Sequence, residues 1–206
     1  MAKKSISDLY SFSLFIFDLD NTIYNEEDYL FRAYSSICDR FAGMAQGYDK
    51  KSLFSLMMKI YRQEGRDKLF DKFLSGAGIG EGYLEECLKI LRTFNPEKQI
   101  EIYPKSAKIL RFLIEKGKKV YVLTNGNPGQ QKNKIRNLLW KGLDEKITFI
   151  LANEIEPKPS PAGIEHILKM AGIEKDKTIF IGDSSIDREC ASRGEIKFIN
   201  IDDLKD

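Results

Sequence analysis

Four consecutive apolar residues, Leu14-Phe15-Ile16-Phe17, run directly into two acids one residue apart, Asp18 and Asp20. An apolar run with no polar alternation predicts a strand buried on both faces, as in a parallel sheet. The residues just past the carboxyl end of such a strand lie where open α/β sheets place their ligands. Side chains alternate with period 2 along an extended chain, so Asp18 and Asp20 point the same way. Two carboxylates that close repel each other unless a cation sits between them or one carries a proton. Asn21-Thr22 also suits a plain acidic turn that closes the strand, and the short DxD pattern alone leaves both readings open.

After Thr22 the period changes. Tyr29, Leu30, Ala33, Ile37 and Phe41 recur at spacings of three and four, which predicts an amphipathic helix over 26–44 with acids in its first turn. Further helices are expected over 53–61, 67–74 and 83–94. The run GAGIGEG at 76–82 has no strand before it and no Lys-Ser/Thr after it, so it reads as an interhelical loop rather than a phosphate cradle. From residue 103 onward helices (106–116, 133–140, 159–171, 188–192) alternate with strands (119–123, 147–152, 178–181, 196–201). Such alternation gives a mostly parallel sheet with helices on both faces. The expected fold class is α/β, a Rossmann-like parallel sheet flanked by helices, carrying an inserted all-helical domain. Residues 1–22 and 103–206 would form the core domain and residues 23–102 the insertion.

Composition excludes several classes. With 42% hydrophobic and 31% charged residues over 206 positions, the chain is neither disordered nor membrane-spanning in character. Lys and Arg number 33 against 31 Asp and Glu, a net +2 that offers no pull toward nucleic acid or an anionic membrane. No stretch reaches the roughly 18 apolar residues a membrane span needs. Lys3-Lys4 ahead of an apolar run faintly resembles a leader, but the run stops at Asp18 without a small-residue cleavage site. Cys38, Cys87 and Cys190 show no CxxC spacing and suit reduced thiols, so a cytoplasmic location is expected. The single histidine, His166, reads as a surface residue and Trp140 as core.

Polar groups end several of the expected strands, and these would converge on one edge of the sheet. The first strand supplies Asp18 and Asp20, the second Thr124 and Asn125, and the TIFI strand Asp183, with Asp187 one turn later. Lys158 lies in the Pro157-Lys158-Pro159 loop. Carboxylates, a hydroxyl beside backbone amides, and a lysine together suit a divalent cation and a phosphoryl group.

In these motifs the chain resembles the haloacid dehalogenase superfamily: DLDNT at 18–22, LTNG at 123–126, the lysine of KPSP at Lys158, and GDSSID at 182–187. The resemblance spans essentially the whole chain. It implies an enzyme in which Asp18 takes the phosphoryl group as an acyl phosphate, while Asp20 acts as general acid and then as base. It implies Mg²⁺ held by Asp18, the backbone carbonyl of Asp20 and Asp183, with Asp187 as a further ligand or orienter. Thr124, backbone amides near Asn125, and Lys158 would bind phosphoryl oxygens. Asp20 disfavours dehalogenation, since a halide needs no proton, and Asn21-Thr22 resembles phosphatases more than sugar phosphomutases.

The insertion between the first two motifs resembles the C1 cap of this superfamily, which implies a small phosphorylated metabolite as substrate rather than a phosphoprotein or nucleic acid. Tyr24, Tyr29, Arg32 and Gln131 are candidates to line the pocket. The alternatives are a sugar phosphomutase of the same superfamily and a non-catalytic phospho-acceptor or binding module. Oligomeric state has no sequence signal.

Overall fold

The computed structural model describes residues 5–45 and 47–204; Lys3 and Lys4 lie outside these. In chain order the strands and α-helices are β1 (Leu14–Phe17), α1 (Glu26–Phe41), α2 (Lys50–Glu64), α3 (Leu69–Gly76), α4 (Leu84–Thr93), β2 (Ile100–Glu101), α5 (Pro104–Glu115) and β3 (Lys119–Thr124), followed by α6 (Pro128–Asn137), β4 (Leu138–Leu139), β5 (Ile147–Leu151), α7 (Ala162–Ala171), β6 (Thr178–Gly182), α8 (Ser185–Arg193) and β7 (Lys197–Asn200). The chain forms two compact units, Met1–Glu26 with Gln99–Asp206, and Glu27–Lys98.

The first unit is built on a five-stranded parallel sheet in the order β5-β3-β1-β6-β7. β1 lies at the centre and all four of its side chains are buried, as a run without polar alternation requires. From β1 the chain builds outward through β3 and β5, then crosses back to place β6 on the other side. The carboxyl end of β1 is therefore the topological switch point, where α/β sheets bind ligands. One face of the sheet packs Leu14, Ile16, Leu123 and Phe180 against Ile164 and Ile167 of α7. Approach there is close: a Cβ on Gly163 would stand 2.7 Å from Leu123 Cδ1, so any larger residue would make the Leu123 side chain shift.

The second unit consists of α1 beyond Glu26 and helices α2 to α4. Its core is aromatic: the Tyr34 ring meets Phe70 edge-on at 5.9 Å and Tyr61 at 6.0 Å between centroids. α2 starts at Lys50, ahead of the apolar periodicity, because the Asp49 carboxylate accepts from Ser52 N (2.8 Å) as an N-cap.

α1 ends at Phe41 rather than 44 and α7 starts at Ala162 rather than 159, and three further differences from the sequence expectation have a local cause. The helix expected over 133–140 runs from Pro128 to Asn137, because the Asn127 side chain caps it and proline occupies its first turn. Leu138–Leu139 instead pair with Ile100–Glu101 as a short parallel ladder, too brief to leave any periodicity in the sequence. α8 starts at Ser185 rather than 188, since Ser184 and Asp187 form a reciprocal capping box.

Among the described residues no helix is long and apolar enough to cross a membrane. Cys38, Cys87 and Cys190 are free and buried. Burial pushes the Cys38 and Cys87 thiols up to about 12 and the Cys190 thiol up to about 11, from an ordinary value of about 9. Above about pH 9 the folded state therefore holds protons that the unfolded chain releases, and the unfolding free energy falls as pH rises toward about 11. A thiol reagent at about pH 8 should label none of the three thiols in the native protein and all three after denaturation. The denaturant midpoint should drop between about pH 9 and 11.

Candidate active site

Asp18 follows β1 directly, and its N–H donates to Ile181 O (2.9 Å), so β6 still pairs with the chain at this point. The Asp18 Oδ1 accepts from Lys158 Nζ at 2.5 Å. Lys158 reaches in from the loop before α7, its side chain 4% exposed, and also donates to Asp187 Oδ1 at 2.6 Å. The backbone of Lys158 is gripped by the Asn125 side chain, whose Nδ2 donates to Lys158 O (2.9 Å) and whose Oδ1 accepts from Lys158 N (2.8 Å). Asn125 thus ties the end of β3 to the lysine loop.

The capping box of α8 fixes Asp187. Its Oδ2 accepts from Ser184 Oγ (2.6 Å) and Ser184 N (3.2 Å), leaving Oδ1 turned to Lys158. Gly182 makes room for it, since a Cβ there would stand 2.6 Å from Asp187 Oδ2. Asp183, at the end of β6, accepts from Thr22 Oγ1 (3.3 Å), and Asn200 donates to its carbonyl (3.1 Å). Asp18, Asp183 and Asp187 each place a carboxylate oxygen within 4.8 Å of the other two.

Three acids around one ammonium leave this cluster short of positive charge. Burial, helped by Asp187 and Asp20 and opposed by Lys158, pushes the Asp18 carboxyl up to about 7. Burial and Asp187 also raise Asp183. Burial works against the Lys158 ammonium, but Asp18 and Asp187 outweigh it and its pKa is raised, so the lysine stays charged. A hard divalent cation with oxygen ligands would supply the missing charge, and the all-carboxylate donor set fits Mg²⁺. Asp187 already spends both oxygens on Lys158 and Ser184, which suits it to orienting more than to direct ligation.

Asp20 faces a different set of partners. Its Oδ1 accepts from Tyr24 Oη (2.6 Å) and Lys134 Nζ (2.9 Å), and its Oδ2 from Gln131 Nε2 (3.0 Å) and Lys134 Nζ (2.9 Å). Gln131 Nε2 also donates to Thr124 Oγ1 (2.6 Å), which places the β3 hydroxyl beside Asp20. Asn21 adopts a left-handed conformation (φ 59°) that lets the chain double back, with its Oδ1 accepting from Glu26 N (3.1 Å). Asparagine tolerates that conformation better than most residues. A cavity of about 760 Å³ opens beside Asp183, lined among others by Asn21, Tyr103, Lys105, Ser106 and Lys108.

A model of the haloacid dehalogenase-like hydrolase family matches residues 15–201. The chain belongs to that family. It is 27% identical over 183 residues to phosphoglycolate phosphatase 1 of Pseudomonas aeruginosa, covering 84% of this chain and 63% of that one. The chain thus spans less than two thirds of that relative's length. It is 25% identical over 198 residues to glyceraldehyde 3-phosphate phosphatase of Methanocaldococcus jannaschii, covering 92% and 84% of the two chains. Among solved structures, a HAD-superfamily hydrolase of subfamily IA from Geobacter sulfurreducens superposes with a TM-score of 0.61 at 16% identity, covering 92% of this chain and 87% of that one. That likeness shows the shared fold.

Within this family member the structure brings Asp18, Asp183, Asp187 and Lys158 into one cluster, and joins Asp20, Thr124, Gln131 and Tyr24 in another. Asn125 meets the lysine loop through its side chain. Tyr29 and Arg32 belong to the helical unit: the Tyr29 hydroxyl donates to Leu91 O (2.7 Å), and Arg32 donates to Lys98 O (3.2 Å). Sequence reasoning missed Lys134, Glu26 and Ser184. Gln131, Lys134 and Asn137 make a buried polar stripe on α6, which shows only once the helix is folded because the α6 sequence is polar nearly throughout.

Proposed function

We propose that the protein is a Mg²⁺-dependent phosphatase that hydrolyses a small phosphomonoester through an aspartyl phosphate on Asp18. The observation that carries this reading is the buried Lys158 held between Asp18 and Asp187, beside Asp183. It combines a carboxylate at the switch point with a fixed cation and the means to hold another. Both curated relatives are named as phosphatases of small phosphorylated compounds, which supports hydrolysis.

In the first half-reaction an Asp18 oxygen forms a bond to phosphorus as the bond to the leaving oxygen breaks, and Asp20 gives that oxygen its proton. In the second, water attacks phosphorus and gives its proton to Asp20. The bond to Asp18 breaks, releasing phosphate. Thr124 and backbone amides near Asn125 hold phosphoryl oxygens, and Lys158 offsets charge on the group in transfer. Mg²⁺ would be held by Asp18, the Asp20 carbonyl and Asp183, with Asp187 orienting Lys158 alongside. Bound there, it would neutralise phosphoryl charge as a Lewis acid. Residues 27–98 serve as a C1-type cap in this reading, with Tyr29 and Arg32 as its candidates for the substrate pocket and Tyr24 and Gln131 as those of the core. Reduced, buried cysteines suit the cytoplasm.

Phosphate release from a panel of sugar phosphates, nucleoside monophosphates, phosphoglycolate and p-nitrophenyl phosphate tests the reading. Turnover is expected with Mg²⁺ and none with EDTA. Absence of release from every ester, with Mg²⁺ bound, would move the phosphomutase to the front.

A further inference from the structure

Two buried lysines divide the acids of the site between them. Lys158 takes Asp18 and Asp187, whereas Lys134 takes Asp20 and Glu26. Lys134 is 2% exposed and donates to both oxygens of Asp20 at 2.9 Å and to Glu26 Oε1 at 2.8 Å. Lysine is almost never fully buried unless paired, and here the pairing is with the carboxylate proposed to move protons. A carboxylate offers about four lone-pair sites. Oδ1 accepts from Tyr24 and Lys134 and Oδ2 from Gln131 and Lys134, so both oxygens of Asp20 are held, and Asp20 gives up one of these contacts when it carries a proton. Glu26, the first residue of α1, anchors the ammonium from the far side.

We infer that Lys134 is a positioning residue that aims Asp20 for both proton transfers, with Glu26 fixing the ammonium. The inference rests on the phosphatase reading. Its consequence is specific to the leaving group. Breaking the ester bond to a basic oxygen needs the Asp20 proton as the bond cleaves, whereas nitrophenolate leaves without one. Hydrolysis of the aspartyl phosphate needs Asp20 as base whatever group has left. A lysine that merely supports the fold would affect all esters alike.

The test compares wild type with Lys134→Met on aryl phosphates ranging from p-nitrophenyl to phenyl phosphate. With p-nitrophenyl phosphate, kcat/KM should stay within about threefold, while with phenyl phosphate it should fall roughly 10- to 100-fold, part of what general acid catalysis supplies. Rapid mixing should show a nitrophenolate burst of about one per site followed by slow turnover, because the aspartyl phosphate accumulates. A parallel loss on every ester, or no loss, overturns the inference. Lys134→Met takes the shared ammonium from two half-buried acids, so Lys134→Met with Glu26→Gln, which keeps the net charge, is assayed beside it with thermal melting as the fold control. If only the double variant folds, its leaving-group dependence decides. Asp18→Asn separates the two levels: turnover by that variant sinks the aspartyl phosphate on Asp18 that the proposed function rests on, whereas its silence together with a uniform Lys134 loss sinks only the role of Lys134.

Discussion

Asp18→Asn should release no measurable phosphate from any ester the wild type hydrolyses, a loss on the order of 10⁴-fold or more, as when an activated nucleophile is removed. The carboxamide matches the carboxylate in shape, and its oxygen can still accept from Lys158, whose Nζ stands 2.5 Å from Asp18 Oδ1. What it cannot do is form an acyl phosphate. Stability should move in the other direction. Burial, with Asp187 and Asp20, pushes the Asp18 carboxyl up to about 7, so at about pH 8 its charge is unwelcome in the metal-free protein. A neutral amide removes that charge, and the variant should melt in EDTA no lower than wild type. Mg²⁺ should raise its melting temperature less, since the cation has lost one charged ligand. Substantial residual turnover would show that Asp18 is not the nucleophile. A folded, silent variant would tie the loss to the chemistry.

The part of the site that was legible in the sequence lies at strand ends. Asp18, Thr124 and Asp183 each follow a buried apolar run, and a parallel sheet brings such ends to one edge whatever the details of the helices. The central place of β1 was equally readable, because four apolar residues without alternation have few other places to go. Lys134 was hidden for a physical reason. Its role depends on the register of α6, which the Asn127 cap and Pro128 set, and a helix expected from residue 133 presents a different face. Among 33 lysines and arginines nothing but that register marks it out. Glu26 reads naturally as an acid favouring a helix N-terminus, and only the fold shows its carboxylate meeting a lysine 108 positions along the chain. Ser184 and Asp187 carried a local signal, the capping-box spacing, but it foretells a helix start and not that the capping acid also holds Lys158. The β2–β4 ladder, two residues long on each side, is below what any periodicity can reveal.

Lys158→Met should be strongly destabilising, and the contrast with a surface lysine makes the point measurable. Methionine replaces the aliphatic stem of Lys158 closely but leaves Asp18 and Asp187, 10% and 1% exposed, without the ammonium they share. Removing one partner of a buried ion pair costs about 3–5 kcal/mol, chiefly because the remaining charge is stranded away from water. Lys132 is also ion-paired, with Glu154 at 2.8 Å, but its side chain is 62% exposed. Lys132→Met should cost no more than about 1 kcal/mol, since water solvates the abandoned carboxylate. Equilibrium denaturation in EDTA at about pH 8 reads both. Mg²⁺ should restore more stability to Lys158→Met than it adds to wild type, because a cation among Asp18, Asp183 and Asp187 replaces the missing positive charge. Activity should not return with it. A cation can balance the acids, but it cannot replace the ammonium that sits between Asp18 and Asp187, and turnover should remain roughly 10²- to 10³-fold down, the scale of losing one fixed electrostatic donor. Equal costs for the two lysine variants would mean that water reaches the Asp18 cluster freely, and the electrostatic case for a cation there would fall with it.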